Sequence, residues 1–307
     1  MLRRLMTLSL MALAVGCGSS TSPYIERDAG PGDGGSDAPL VCGDERGPLD
    51  IPPEPVVNGT ETHDPSVVAL TAGQTLAVGA LMQQVEPPLW ENVCTGTLVG
   101  PDIVLTAAHC LYDIWTEVPL RPAEVRFAIG VDSADPLAVF DAAVVAPHPD
   151  FDLWAMEAIN DVGIVVLTEP ATSVLPLIET IPVNCDTLVA SEIVGELVQN
   201  VGYGLTDPDG WWEPANTRVW WTVEEVVGVT YYDLIVDGRG VTGVCYGDSG
   251  GPSLWTNPAD GVVRTIGVLS WGEDESCTGR DHYALTSYHC DLIDEYREGS
   301  RASTVGI

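Results

Sequence analysis

The stretch Gly247-Asp-Ser-Gly-Gly-Pro252 is the most informative short segment of this 307-residue chain. Glycines stand on both sides of Ser249, and they allow the backbone to turn tightly and to aim its amide N–H groups at one point. A serine in a Gly-rich loop is common, so this segment alone predicts only a turn. Its significance depends on the side chains that two other segments contribute.

Two earlier segments carry a histidine and an aspartate at the ends of predicted strands. In Leu105-Thr-Ala-Ala-His-Cys110, an apolar strand runs into a turn of small residues that presents His109, and Cys110 can fix this turn in place. In the segment that ends at Leu167, Asp161 opens a fully apolar strand, so its carboxylate is expected at the edge of a core. Each feature alone also has a plain structural explanation.

Together, the three side chains supply what acyl transfer requires. A hydroxyl is a weak nucleophile until a base removes its proton, and the base needs a partner that fixes its tautomer and stabilises the imidazolium. The oxygen that becomes negative on the substrate needs hydrogen-bond donors already in place. The three segments therefore predict nucleophilic catalysis by a serine.

The chain beyond Val56 has the pattern of many short strands joined by turns. Clusters such as Pro-Asp and Asp-Gly separate short apolar runs, and such clusters mark turns. Examples of these runs are Ile103–Leu105, Val162–Leu167, Val219–Val223, Tyr231–Val236 and Thr265–Ser270. One helix-like stretch, from Ser287 to Glu298, lies near the C-terminus. This pattern predicts an all-β barrel architecture with one late helix.

The order His, Asp, Ser with these flanking residues resembles the chymotrypsin–trypsin family over residues 56–307. The resemblance implies two six-stranded antiparallel β-barrels with a C-terminal α-helix, and hydrolysis of protein or peptide substrates through an acyl-enzyme without a cofactor. It implies that Ser249 attacks the scissile carbonyl, that His109 relays the proton, and that Asp161 holds His109. The backbone N–H groups of Gly247 and Ser249 would form the oxyanion hole.

The resemblance also locates a primary specificity pocket. Ser270-Trp271-Gly272 resembles the strand that pairs with the substrate backbone and walls this pocket. Gly243 falls at the pocket base, where trypsins carry Asp, and Asp281 falls on the rear wall, where trypsins carry Gly. We expect a roomy pocket with a bias to basic side chains. The alternative is that the register slips in this loop and that Asp281 lies on the surface.

The start of the family domain departs from the usual pattern. Val56-Val-Asn-Gly59 resembles the new N-terminus that activation exposes, whose α-amino group would pair with Asp248. Arg or Lys usually precedes this point, but the residues here are Pro52-Pro-Glu-Pro55. Three alternatives stay open: another protease activates the chain, the mature start differs, or activity does not need the cut.

Eight cysteines and an export signal predict disulfides formed in an oxidising compartment. The resemblance implies the pairs Cys94–Cys110 and Cys245–Cys277. For Cys185 we expect Cys42 as the partner, which leaves Cys290 free or competing with Cys42 for Cys185. No Cys-x-x-Cys motif or histidine cluster is present, so a metal site is not expected.

Residues 1–17 have the features of an export signal. Arg3 and Arg4 precede an apolar run, which closes on small residues before Cys17 and so resembles a bacterial lipobox. Leu is usual three residues before the cysteine, where Ala14 stands here, so lipidation of Cys17 and plain signal cleavage are both open. Residues 18–55 are rich in Gly, Asp and Pro and predict a disordered linker or propeptide.

The charge balance excludes some partners. The chain has 45 acidic residues against 12 basic ones, all of them arginine. Such a surface repels nucleic acid and anionic membranes, so membrane association is expected only through a lipid anchor. The excess is explained either by solubility or by a scarcity of sites that a protease specific for basic residues would cut.

Two functional hypotheses follow from the sequence. The first is an exported, extracellular or outer-membrane-anchored serine endopeptidase. The second is a catalytically silent family member that acts as a binding module at the cell surface; the unusual activation site favours it, and the complete set of three residues disfavours it. His148 lies in Pro147-His-Pro-Asp-Phe151, which resembles a common family loop near the three residues, and we interpret it as structural. The other histidines have no partner pattern in the sequence, so we interpret them as surface or core residues: His63, His282 and His289.

Overall fold

The computed structural model describes residues 57–113, 115–153, 159–208 and 216–304. The predicted export signal with Cys17, the linker with Cys42, and Val56 lie outside these residues. None of the helices within the described part of the chain is long and apolar enough to cross a membrane.

Six antiparallel strands close into a first barrel, in the order β1-β2-β3-β8-β7-β6. Its centre is apolar, with Leu81, Ile103, Phe127 and Ile164 fully buried. The strands are β1 (Val78–Glu86), β2 (Leu89–Leu98), β3 (Ile103–Thr106), β6 (Val125–Ile129), β7 (Ala138–Pro147) and β8 (Gly163–Leu167). A separate pair, β4 (Tyr112–Asp113) and β5 (Val118–Pro119), forms a two-stranded sheet.

A second barrel closes in the order β10-β11-β14-β13-β12-β9, again antiparallel. Ile266 and Tyr283 are fully buried in it, but so is the polar pair Asn200 and Glu224. The strands are β9 (Leu197–Gly202), β10 (Trp220–Val229), β11 (Asp233–Asp237), β12 (Pro252–Thr256), β13 (Val263–Gly272) and β14 (Arg280–Leu285). The predicted fold class is therefore confirmed.

Helices are few among the described residues. Three are single turns: α1 (Ala72–Thr75), α2 (Ala171–Val174) and α3 (Ala190–Ile193). The C-terminal helix α4 spans Cys290–Thr304. It begins later than the predicted Ser287 because Thr286–Tyr288 form a 3-10 turn. Two further 3-10 turns lie at His109–Leu111 and Pro122–Glu124.

The cysteine pairs agree with the expected ones in two cases and differ in the third. The structure joins Cys94 to Cys110 and Cys245 to Cys277. Cys185 is bonded to Cys290 and not to Cys42, so the expected Cys42–Cys185 pair is wrong. The reason is spatial: Cys290 is the first residue of α4, and its Cα lies 5.7 Å from that of Cys185.

Candidate active site

His109 and Asp161 meet because two neighbouring strands of the first barrel end at the same edge. The strand β3 leads through the buried residues Ala107 and Ala108 to the 3-10 turn that begins at His109. Asp161 lies two residues before β8, which pairs with β3. The preceding Asn160 has a φ of 64°, a left-handed conformation that asparagine tolerates better than most residues.

Asp161 holds His109 with two hydrogen bonds. Its Oδ2 lies 2.7 Å from the ring Nδ1, and its Oδ1 accepts from the His109 backbone N–H at 2.9 Å. The Ser270 hydroxyl donates to the same Oδ2 at 2.6 Å. The family resemblance assigns Ser270 only to the substrate-binding strand, so this contact with the carboxylate is an addition from the structure.

The ionisation of this pair follows from its burial and its contacts. Burial raises the pKa of Asp161, but the charge of His109 and the donated hydrogen bonds more than offset this and leave the pKa below its usual value. Burial lowers the pKa of His109, but the Asp161 carboxylate outweighs it, so the net pKa is raised above 6.5. Asp161 is therefore the ionised member, and it fixes the proton of the neutral imidazole on Nδ1.

Ser249 lies in a loop whose geometry requires glycine. Gly247 and Gly250 have φ values of 97° and 81°, which residues with a side chain rarely adopt. A Cβ on Gly250 would also lie 2.1 Å from the Thr106 hydroxyl. These positions form the tight turn that the sequence predicts around Ser249.

Thr95 on β2 fixes the same loop from the first barrel. Its backbone N–H donates to the Ser249 carbonyl at 2.8 Å, and its hydroxyl donates to the Gly247 carbonyl at 3.1 Å. Within the described chain, the N–H groups of Gly247 and Ser249 donate to no backbone carbonyl. The carbonyls thus point to Thr95, and the two amides remain available to a ligand.

One cavity of about 340 Å³ brings most of the predicted residues together. Among the residues that line it are His109, Ser249, Ser270, Trp271, Gly272 and Asp281. The described residues do not include a hydrogen bond between the Ser249 hydroxyl and His109, whose Nε2 lies 3.6 Å from Cys110 Sγ. Such contacts are often long in ligand-free sites.

Asp281 lies against this cavity and is 3% exposed, so the alternative of a surface position is wrong. A Cβ on Gly272 would lie 2.6 Å from Asp281 Oδ1, and one on Gly243 would lie 3.3 Å from Oδ2. Both glycines therefore make room for this carboxyl group. Gly243 itself is not among the residues that line the cavity.

Glu224 on β10 is a second buried carboxyl group behind Asp281. Asn200 donates to its Oε1 at 2.9 Å, but Glu224 Oε2 and Asp281 Oδ2 have no hydrogen-bond partner among the described residues. Burial raises the pKa of both groups, and for Asp281 the Glu224 carboxyl raises it further. Two adjacent carboxyl groups of this kind retain protons at neutral pH.

Asp248 is buried beside the Ser249 loop. Its Oδ1 accepts from Gly204 N–H at 2.7 Å and its Oδ2 from Cys245 N–H at 2.8 Å. Burial outweighs these bonds and raises the pKa of Asp248 to about 7. The carbonyl of Val57 accepts from Gly243 N–H at 3.3 Å, which places the first described residue beside Gly243.

A metal is not supported by the donor atoms near the site. Cys94, His109 and Cys110 have ligand-type atoms within 4.8 Å of one another. The two sulfurs are joined in a disulfide, so neither offers the thiolate that a metal would bind.

Comparisons with known proteins agree with this architecture. The family model described as Trypsin matches residues 58–293, well over half of the chain. Chymotrypsin-C of Mus musculus is 25% identical over 244 residues, which cover 71% of this chain and 84% of that protein. Brachyurin of Leptuca pugilator is 24% identical over 220 residues, with 65% and 85% covered. The vitellin-degrading protease of Bombyx mori is 29% identical over 195 residues, with 58% and 66% covered. The chain therefore belongs to the chymotrypsin/trypsin-like family of serine proteases.

Proposed function

We propose that this protein is a serine endopeptidase that uses Ser249, His109 and Asp161. The observation that carries the proposal is the hydrogen bond of 2.7 Å between His109 and the buried Asp161, on a cavity that His109 shares with Ser249. A neutral imidazole with its proton fixed on Nδ1 has its Nε2 free to act as a base.

The reaction then follows from the groups around the cavity. His109 Nε2 removes the proton from the Ser249 hydroxyl as its oxygen attacks the scissile carbonyl, and the imidazolium that forms faces Asp161. The N–H groups of Gly247 and Ser249 stabilise the oxyanion. His109 passes the proton to the leaving amine, and water releases the acyl group from Ser249 by the same steps.

The pocket is the basis for a proposed side-chain preference. A volume of about 340 Å³ suits a large side chain, and the Asp281 carboxyl at its wall favours arginine or lysine when it is ionised. Glu273 is about half exposed at the rim and adds negative charge there. We therefore retain the bias to basic residues, and the protonation of Asp281 makes this bias depend on pH.

Export and activation concern residues 1–56. Three disulfides among the described residues suit an oxidising compartment, so we place the site of action outside the cytoplasm, with Cys17 as the lipid attachment point. Release of Val56 by an activating protease would supply an α-amino group for Asp248, a carboxyl group whose pKa is raised to about 7 by burial.

A fluorophosphonate probe with a peptide substrate tests the proposal. The wild-type protein should become labelled at Ser249 and hydrolyse the peptide, and Ser249→Ala should do neither. Ser173→Ala, an exposed serine on α2, serves as the matched control and should behave as wild type. A folded wild-type protein that is not labelled, before or after exposure of Val56, would instead support the silent binding module.

A further inference from the structure

His282 on β14 makes contacts that neither the sequence nor the proposed mechanism explains. The residue is 6% exposed, and both ring nitrogens face carboxylates. Nδ1 lies 2.6 Å from Asp233 Oδ2 on β11, and Nε2 lies 3.0 Å from Glu273 Oε1 just after β13. Carboxylates only accept hydrogen bonds, so both nitrogens carry protons and the ring is an imidazolium.

The face of this ring supports Trp271. The two residues are paired across β13 and β14, and their rings stack with centroids 3.9 Å apart and planes only 9° apart. Trp271 remains 43% exposed and lines the cavity with His109 and Ser249. One face of the indole therefore rests on a buried cation, which attracts the electron-rich ring.

We propose that His282 is a positioning residue, an imidazolium clamped between Asp233 and Glu273 that holds Trp271 flat as a platform for the substrate residues preceding the cleaved bond. This inference rests on the proposed function, since the platform matters only if a peptide lies along Ser270-Trp271-Gly272. It adds a specificity element that does not touch the reacting atoms.

The surrounding charges determine how the clamp responds to pH. Burial lowers the pKa of His282, but Asp233 and Glu273 more than offset this, so its pKa is raised above 6.5. On its own strand, the adjacent Asp281 points to the opposite face of the sheet, and Arg280 is two residues away on the same face. Arg280 lies 3.6 Å from Asp237 on β11, and Asp274 lines the cavity beside Glu273.

The sign of the pH effect follows from this shift. The imidazolium persists above pH 6.5 and is lost as the pH rises through the raised value. A neutral imidazole can donate from only one nitrogen, so one carboxylate then loses its hydrogen bond and the attraction beneath Trp271 weakens. Substrates that reach Trp271 should be affected, and substrates that end at the primary pocket should not.

The test compares a tetrapeptide amide with a single-residue thioester between pH 5 and pH 10. In the wild type, the ratio of kcat/KM for the long substrate to that for the short one should fall at least threefold at high pH, mainly through KM. His282→Phe, which keeps a flat ring without charge, should give a ratio independent of pH. His63→Phe, remote from the cavity, is the matched control. In this variant the ratio should decrease at high pH as it does in the wild type.

Two further measurements keep the test decisive. Glu273→Gln removes one charge and keeps a hydrogen-bond acceptor, so the decrease of the ratio with pH should have its midpoint at lower pH. This measurement does not depend on whether His282→Phe folds. The ¹⁵N resonances of His282 should report two protonated nitrogens at pH 6, below the raised pKa, whether or not the protein hydrolyses peptides.

The outcomes separate this inference from the proposed function. The clamp would be overturned by a wild-type ratio that does not change with pH. It would also be overturned if folded His282→Phe showed the same decrease of the ratio as the wild type, or if His282 were neutral at pH 6. Failure of the fluorophosphonate to label Ser249 would overturn the peptidase itself, while the nitrogen resonances would still test the imidazolium.

Discussion

The hydroxyl of Thr95 donates a hydrogen bond to the carbonyl oxygen of Gly247, 3.1 Å away, and so links the two barrels beneath the Ser249 loop. The same hydroxyl accepts from the backbone N–H of Tyr203 at 3.1 Å. Thr95 is fully buried, so water cannot replace it. The Gly247 carbonyl belongs to the peptide that Gly247 shares with Asp248, so this hydroxyl fixes the backbone on the C-terminal side of the residue whose N–H is a proposed oxyanion donor. The position of that donor therefore depends in part on a side chain remote from the substrate.

Replacing Thr95 with valine should impair catalysis more than folding. Loss of a true oxyanion donor costs about 10²–10³ in kcat, and a donor that is only misaligned should cost about tenfold. The buried Tyr203 N–H and the half-buried Gly247 carbonyl also lose a partner, and the buried N–H alone should cost about 1–3 kcal/mol of stability. The measurements are kcat for a peptide amide and urea denaturation.

The same strand provides a matched control for this substitution. Thr97 is also buried, but its hydroxyl has no hydrogen-bond partner in the described part of the chain, so Thr97→Val removes the same atom without removing a hydrogen bond. Thr97→Val should leave kcat unchanged. Thr95→Ser keeps the hydroxyl and should have a kcat close to that of the wild type. Equal kcat values for Thr95→Val and Thr97→Val would show that the hydroxyl does not position the loop.

The Asp281 and Glu224 pair should make side-chain preference depend on pH. Glu224→Gln removes a neighbouring acid that raises the Asp281 pKa, so Asp281 should ionise at lower pH. We expect the ratio of kcat/KM for arginine over leucine substrates to rise at least threefold at pH 7. Adding Asp281→Asn to Glu224→Gln should lower this ratio again, because it removes the carboxyl group that has become ionised.

An exposed acid on the first barrel provides the control for this pair. Glu91→Gln makes the same chemical change on β2, outside the cavity, and should leave the ratio unchanged. If adding Asp281→Asn to Glu224→Gln also leaves the ratio unchanged, the carboxyl group does not contact the substrate side chain, and the proposed bias to basic residues is wrong.

The sequence predicted the parts of this site that depend on local segments. The Ser249 loop, the His109 turn and the start of β8 each lie in a short motif, and the family that these motifs resemble implied both barrels. His282 was missed because its partners are 49 and 9 residues away and become neighbours only when β11 and β13 flank β14. Glu224 was missed because a Glu-Glu pair in a strand has no sequence feature that distinguishes a buried acid from an exposed one.

The Cys185–Cys290 disulfide should be a major contribution to stability. It joins residues separated by 105 positions, and a loop of this size predicts about 4.7 kcal/mol from restriction of the unfolded chain. The double replacement of both cysteines by serine should therefore lower the free energy of unfolding by about 4 kcal/mol, measured by urea denaturation. Loss of Cys94–Cys110, with a separation of 16, should cost about 3 kcal/mol.

Peptide mapping without reduction tests the pairing directly. The fragment that contains Cys185 should be recovered bonded to the fragment that contains Cys290. Recovery of Cys185 with Cys42 would contradict the structure and restore the pairing expected from the sequence.

Activity should rise with pH through the ionisation of His109. Only the neutral imidazole can act as the base, and Asp161 holds the pKa of His109 above 6.5. The acid limb of kcat/KM should therefore have its midpoint above pH 6.5. Asp161→Asn removes the charge, so the midpoint should move to lower pH, and kcat should fall by about 10⁴ because the tautomer is no longer fixed.

Replacing Ser270 disturbs the same Asp161 carboxylate more mildly than Asp161→Asn does. The Ser270 hydroxyl donates to Asp161 Oδ2 and so helps to fix the orientation of the carboxylate; Ser270→Ala should loosen the contact between Asp161 and His109 without removing the charge. We expect a loss of about tenfold in kcat and a small shift of the midpoint in the same direction as Asp161→Asn. A midpoint that stays at the wild-type pH in Asp161→Asn would mean that the acid limb reports another group, and the assignment of His109 as the base would fail.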